Sequence, residues 1–285
     1  MKKEKKAKPS PWKPGMTVQE MYEARPNLWI WTVLTLVIIA GLVAWSSSAF
    51  TGSAGTEMDG WAVAKSILNG IFHPSKELLF SLTKEGVLYL LLVETLCIAF
   101  LGTLVGAVLA VPFAFLGATN IVPSPIAIFF RTVVMAIRTI PAFVYGLMFI
   151  RVTGPGPFAG LLTMSVCSIG MISKMFIESI EDLDPRILES LDASGCTTFQ
   201  KIRYGIIPQI SADFASTLIY RFDMNLRDTT VLGLVGAGGI GAPLVFAMNY
   251  YKWNQAGAIL IGLIILILII EWFSNKLRNR LARGI

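Results

Sequence analysis

The stretch "DPRILESLDASGCTTFQKIRYGIIP", residues 184–208, sets acids, bases and hydroxyls between two strongly apolar runs. It carries its own punctuation. Asp184 is placed to accept hydrogen bonds from the free N–H groups of a helix start, and Pro185 suits the first helical position. Ile187, Leu188 and Leu191 then form a narrow apolar stripe. Gly195 supplies the left-handed residue that ends a helix. Thr197 followed by Gln200 fits a capping box that opens a second helix. Pro208 ends that helix or kinks it into the next segment. Two helices this short are marginal in water, so they need a surface to pack against. A solvated loop, a DNA-reading helix-turn-helix and a docking element all fit that outline. Glu181, Asp182, Asp184, Glu189 and Asp192 would repel phosphate and argue against the second.

Around this insert the chain is oily. Of 285 residues 54% are hydrophobic and 15% charged, and mean hydropathy is +0.66. Charge is well below the roughly 25% of ordinary soluble domains. Several runs of roughly 20 apolar residues are long enough to cross a hydrocarbon core about 30 Å thick. These features predict an all-α integral membrane protein with about six crossings.

The net charge of +6 is concentrated at the ends. Residues 1–27 form a basic N-terminal segment and residues 276–285 a basic tail. Lys and Arg mark the cytoplasmic side, so both termini are expected there, which requires an even number of crossings. The +6 is therefore no sign of nucleic acid. Residues 28–50 read as the first crossing. Their apolar stretch is longer than that of a signal peptide, so the segment is expected to be retained. Residues 51–86 read as an extracytoplasmic segment whose "GWAVAKSILNGIF" has the spacing of an interfacial amphipathic helix. Residues 87–275 form the core, with crossings at about 87–115, 125–150, 157–179, from about 209, and 255–275. The insert, within 180–208, then lies in the cytoplasm. Gly102 and Gly106 form a small-xxx-small pair for close helix approach. The fifth crossing is expected to be interrupted by "RFDMNLRDTT" and by the glycine-rich "GLVGAGGIGAP" at 233–243.

The insert resembles the cytoplasmic signature loop of ABC-importer permeases, which runs Glu-Ala-Ala, three residues, Gly, about nine residues, then Ile-x-Leu-Pro. Glu189, Gly195 and Pro208 fall at matching spacing and Ile207 stands in for Leu. Ser190 and Leu191 replace the two Ala, and Gly205 the Ile. "ETLCIAFLGT" (94–103), "RTIPAFVYGLMFIRVTGPGPFAG" (138–160), "GMISKMFIESIEDLDP" (170–185) and "YRFDMNLRDTTVLGLVGAGGIG" (220–241) resemble the phosphonate-uptake permeases. That resemblance implies a type I importer permease fold in a bacterial cytoplasmic membrane. It implies a second copy of the chain, two ATP-binding subunits and an extracytoplasmic phosphonate-binding protein as partners. ATP and Mg would sit on the ATPase subunit, with no cofactor on this chain. Glu189, Leu191, Asp192, Gly195 and Pro208 would couple to that ATPase. A permease for another small ligand such as methionine is the alternative within the class; an energy-independent channel or secondary carrier is the alternative outside it.

The intramembrane charges bear on the cargo. An arginine at the bilayer centre costs about 2.5–3.5 kcal/mol on insertion scales, so it has a partner or a pathway. Arg138, Arg221 and Arg227, with Asn225 and Thr229, are candidates for an anion path. Glu94, Asp223 and Asp228 are candidates for intramembrane ion pairs, with Asp223 and Arg227 one helical turn apart. Such charges serve as internal ties or as an oxyanion path, and the two uses overlap. Lys174 and Glu178, also four apart, read as an interfacial pair. Cys97, Cys167 and Cys196 are scattered and His73 stands alone, so no metal spacing and no catalytic constellation is present. The glycine-rich run lacks the Lys-Ser/Thr ending of a phosphate-cradling loop and reads as a helix break. Pro112 and Pro141 read as kinks or helix ends.

Overall fold

A computed structural model describes residues 29–50, 60–76, 78 and 87–282. The basic N-terminal segment, residues 51–59 and most of 77–86 lie outside the described residues, as do the last three of the tail. Two units are distinguished, residues 1–60 and 61–285.

The first unit holds α1 (Trp29–Phe50), 22 residues without a charged side chain. Its apolar residues occupy the whole circumference, the pattern of a helix surrounded by lipid. At 1.5 Å per residue it is about 33 Å long, enough to span.

In the second unit come α2 (Gly60–Phe72), α3 (Val87–Gly117), α4 (Ser124–Thr139), α5 (Ala142–Thr153), α6 (Pro157–Glu181) and α7 (Pro185–Ala193). A short turn of helix, α8 (Thr198–Gln200), runs through a π-helical segment (Lys201–Ile206) into α9 (Ile207–Gly233). The unit ends with α10 (Gly241–Asn249) and α11 (Trp253–Ala282). The architecture is all-helical, as expected.

The frame is built on α3 and α6. Gly102, Gly106, Ala110 and Ala114 recur every four residues on α3, with Ala118 just past its end, and all are buried. That stripe lets the α6 backbone approach closely. A Cβ at Gly106 would lie 2.5 Å from the Ser168 Cβ, and one at Gly102 would collide with Met164. Ile172, Phe176, Ile177 and Ile180 of α6 fill the space beside the alanines, joined by Ile206 and Ile210. Phe176 stacks on Phe214 of α9 with ring centroids 3.6 Å apart. Outward-facing Leu101, Leu104, Val108 and Leu109 of α3 and Leu268 and Ile269 of α11 are exposed. An apolar outside over a small-residue inside is the pattern of a bundle solvated by lipid.

Among the described residues four helices are long and apolar enough to cross a membrane: α1, α3, α6 and α11. The pair α4 and α5, bent by 83° at its break, makes a fifth if it is one span. The break falls at Pro141, whose missing N–H leaves the Ile137 carbonyl without its helical donor. The Tyr145 hydroxyl takes that place, donating to the Ile137 carbonyl at 3.1 Å. The remaining expected crossing corresponds to α9. Its 27 residues carry Asp213, Arg221, Asp223, Arg227 and Asp228, which set it apart from the apolar spans.

One expectation about α9 is corrected. "RFDMNLRDTT" does not interrupt it; the helix runs unbroken to Gly233, with Arg221, Asp223, Asn225 and Thr229 buried in the bundle and Arg227 outside it. Of the two outcomes expected at Pro208, an end or a kink, the helix that begins at Thr198 does not end there but continues through a distorted turn. The π-helical turn before it widens the coil where proline lacks a donor and its ring crowds the preceding turn. The glycine-rich run does break the helix as expected. Gly236, Gly238 and Gly239 have φ of 88°, 82° and 75°, values that side-chain-bearing residues avoid.

Candidate functional site: a polar centre and a protruding loop

The loop between α6 and α9 folds as its residues dictate. The Asp184 carboxylate accepts from the Arg186 N–H at 3.0 Å, capping α7. At the other end Gly195 has φ 74°. The Cys196 N–H donates to the Leu191 carbonyl at 3.0 Å and the Gly195 N–H to the Asp192 carbonyl at 2.9 Å. This pair of bonds closes a Schellman turn. Thr197 and Gln200 form the reciprocal capping box, with the Thr197 N–H donating to the Gln200 side-chain oxygen at 2.8 Å.

The surface that this short helix needs is the π-helical turn. Leu191 packs where a Cβ on Gly205 would stand, with Ile187 beside it. Leu188 and Ile202 join the inner core. Of the proposed coupling residues, Leu191 therefore faces inward and holds α7 in place, whereas Glu189 and Asp192 face outward. Asp192 is paired with Lys201 across the turn. Pro208 lies at the start of α9. Phe199 and Tyr204, 69% and 68% exposed, stand on the same loop, and the Arg203 guanidinium lies over the Tyr204 ring. Sequence reading passed over both aromatics; large apolar rings within a polar insert were the available signal.

Deeper in the bundle, Thr217, Arg221, Asn225 and Thr229 recur every four residues along α9 and are all buried. The side-chain partners of Arg221 and Asn225 come from α3 and α6. The Arg221 guanidinium donates through Nε to the Ser168 hydroxyl at 3.2 Å and through Nη1 to the Met171 sulfur, also at 3.2 Å. The Asn225 amide donates to the Thr103 and Ser168 hydroxyls at 2.7 and 2.8 Å. Thr229 donates to the Asn225 carbonyl. The Asn225 side-chain oxygen is buried without a partner among the described residues. Asp228 lies 4.0 Å from Arg221, at the outer limit of an ion pair. A buried guanidinium with neutral neighbours and one loose counter-ion retains capacity for an anion.

Other candidates separate from this centre. Arg227 pairs with Asp223 at 3.0 Å, as its spacing predicts, and reaches Glu271 of α11 at 3.4 Å. It ties two helices. Arg138 sits at the end of α4, exposed, its stem packed on Gly170. Glu94 is corrected: among the described residues it forms no ion pair. Its carboxylate accepts from the Gly239 N–H at 2.8 Å, and neighbouring Thr95 accepts from the Ile240 N–H at 3.0 Å. These two α3 side chains satisfy backbone donors that the glycine turn would otherwise leave unpaired within the bundle. Lys174 and Glu178 pair at 3.1 Å as expected. Among the described residues no group of three or more His, Cys, Asp or Glu could hold a metal ion.

Comparison with known proteins gives this arrangement a context. Residues 102–283 match the family described as binding-protein-dependent transport system inner membrane component. The phosphite transport system permease protein PtxC of Stutzerimonas stutzeri is 34% identical over 189 residues, 66% of this chain and 69% of that protein. The phosphate-import permease protein PhnE of Mycolicibacterium smegmatis is 35% identical over 208 residues, 68% of this chain and 39% of that longer protein. Among solved structures, the inward-facing MetNI methionine ABC transporter aligns with a TM-score of 0.61 at 20% identity, covering 71% of this chain and 99% of that one. An amino acid ABC transporter aligns with a TM-score of 0.56 at 19% identity, covering 80% and 100%. These structural likenesses bear on fold.

Proposed function

Because the chain belongs to the family of binding-protein-dependent transport system inner membrane components, we propose that it carries phosphonate, or the closely related phosphite or phosphate, across a bacterial cytoplasmic membrane. It is the transport subunit of an ABC importer, not an enzyme. Two copies would pair with two ATP-binding subunits, which hold ATP and Mg, and an extracytoplasmic binding protein would deliver the cargo. Both termini would be cytoplasmic, with α9 as the sixth crossing.

The observation that carries the oxyanion reading is Arg221, buried on α9 beside the Asn225 amide and the Thr103 and Ser168 hydroxyls of α3 and α6. A phosphonate dianion displaces one weak counter-ion, Asp228, and meets donors that are already oriented. The Ser168 hydroxyl, which accepts from both Arg221 and Asn225, keeps its own proton to donate to the anion. The alternative ligand methionine, the cargo named for the structural neighbour, gives a buried guanidinium less work, since its carboxylate bears a single charge beside a cationic amine. In the cycle, closure of the ATPase pair displaces α7, and α9 carries the displacement to Arg221.

The test is ATP-dependent uptake of radiolabelled methylphosphonate into cells expressing the permease with its ATPase and binding protein. Arg221→Gln is expected to lower uptake at least about tenfold, the worth of one charge-assisted contact, while the binding protein's own affinity stays constant. Assembled Arg221→Gln transporter working at the wild-type rate sinks the proposal. Arg138→Gln and Arg227→Gln belong in the same series, and their effects rank each arginine's share of the path.

A further inference from the structure

A second polar site lies on the loop side of the bundle. A cleft of about 370 Å³ opens between α6, α9 and α11, lined by Met171, Met175, Ser216, Thr217, Tyr220 and Arg278. Its volume falls within the roughly 300–1,000 Å³ of small-ligand sites. No carboxylate lines it. The half-buried Arg278 has one polar partner among the described residues, the Asn275 side-chain oxygen at 2.7 Å, so its charge is not neutralised there. The hydroxyls of Ser216, Thr217 and Tyr220 have no hydrogen-bond partner among the described residues. A cation with three idle hydroxyl donors in one concavity matches what a tetrahedral oxyanion requires.

The position of the cleft gives it a role. Ser216 to Tyr220 lie on α9 between the loop and Arg221, about 12 to 18 Å along the axis from Pro208 at 1.5 Å per residue. Met171 forms part of its wall and at the same time receives the Arg221 guanidinium at 3.2 Å. One flexible thioether thus separates the buried arginine from the cleft, and a methionine rotates away at little cost.

We propose that this cleft is a release site, in which Arg278 with Ser216, Thr217 and Tyr220 receives a small phosphorus oxyanion from Arg221 on its way to the loop side. The inference rests on the oxyanion reading above. It adds a second station and assigns a ligand role to the basic tail beyond that of orienting the protein. Two weak stations in series permit a charged cargo to leave a site that also had to attract it.

The experiment measures equilibrium binding of radiolabelled methylphosphonate to the permease–ATPase complex in nanodiscs, without binding protein, beside the uptake assay. Arg278→Gln and the double variant Ser216→Ala/Tyr220→Phe are each expected to weaken binding at least about tenfold. Arg278→Lys should stay within about threefold of wild type, and Lys276→Gln, a neighbouring tail charge outside the cleft, should bind as wild type. The double variant keeps the test informative if loss of Arg278 impairs assembly, which size-exclusion profile and ATPase activity report. Wild-type affinity in both cleft variants overturns the release site, as does absence of binding by a wild-type complex that transports. Absence of uptake of any phosphorus oxyanion by the wild-type system overturns the substrate reading instead.

Discussion

Glu94 shows how much one side chain can decide. It accepts from the Gly239 N–H across 145 residues of sequence, and beside it Thr95 caps Ile240. Without that acceptor the glycine turn leaves an unpaired donor in an apolar setting, a cost of about 1–3 kcal/mol. Glu94→Ala is therefore expected to lower the thermal midpoint of the detergent-purified protein, while Glu94→Gln, which retains an acceptor oxygen, recovers most of the loss. Equal midpoints for the two variants would show that the carboxylate is not what holds the turn. Glu94 is also a lesson in legibility. A carboxylate in an apolar helix announces that it has a partner, but nothing local identifies that partner as a backbone amide in a glycine turn 145 residues away. Asp223 and Arg227 were readable because both partners share one helix, four residues apart.

At the scale of the element, what was legible is what is local. The caps of α7 and the Thr197–Gln200 box need only a few consecutive residues, and they form as the sequence predicts. Gly195 at φ 74° makes the sharpest case. A β-branched residue there costs roughly 1–2 kcal/mol of left-handed strain and misaligns the two short helices. Gly195→Val is expected to leave ATP hydrolysis running while uptake falls severalfold, read from the ratio of phosphonate moved to ATP consumed; an unchanged ratio removes the coupling role of the loop. The polarity of α9 misled for a physical reason. Charged residues were weighed by composition and taken for a break, whereas Thr217, Arg221, Asn225 and Thr229 fall on one buried face at four-residue spacing. Periodicity, applied to polar rather than apolar residues, was the available signal. The α3 stripe was half seen in the same way: Gly102 and Gly106 stood out, and the three alanines continuing it did not. Gly106→Leu, which must displace the α6 backbone, should abolish stable expression, whereas Ala114→Gly should be tolerated; equal yields of the two would contradict the close packing of α3 on α6.

For the whole molecule, the apolar exterior and the basic ends describe a bundle set in a bilayer. Composition alone made this class readable. The count of crossings was harder to read, because one helix pair is bent at Pro141 and α9 carries five charges. The proposed six crossings would place both ends on one side, so reporters fused before Lys2 and after Ile285 should both register the cytoplasm. Ends on opposite sides would remove α9 or the bent pair from the list of spans.

The π-helical turn ahead of Pro208 has a mechanical consequence. From Ile207 to Gly233 the helix has no break, so over its roughly 40 Å it acts as a stiff pushrod. Compliance is concentrated at its foot, in six residues already wound off the regular pitch. Leu191 grips that foot at Gly205. A tug on the loop is thus filtered through one soft coupling and then delivered undiminished to Arg221. On the proposed function, how many ångströms of stroke the cargo site feels depends on the stiffness of that coupling. Pro208→Ala would let the coil tighten to an ordinary α-helix, shortening the slack at the point where the stroke begins.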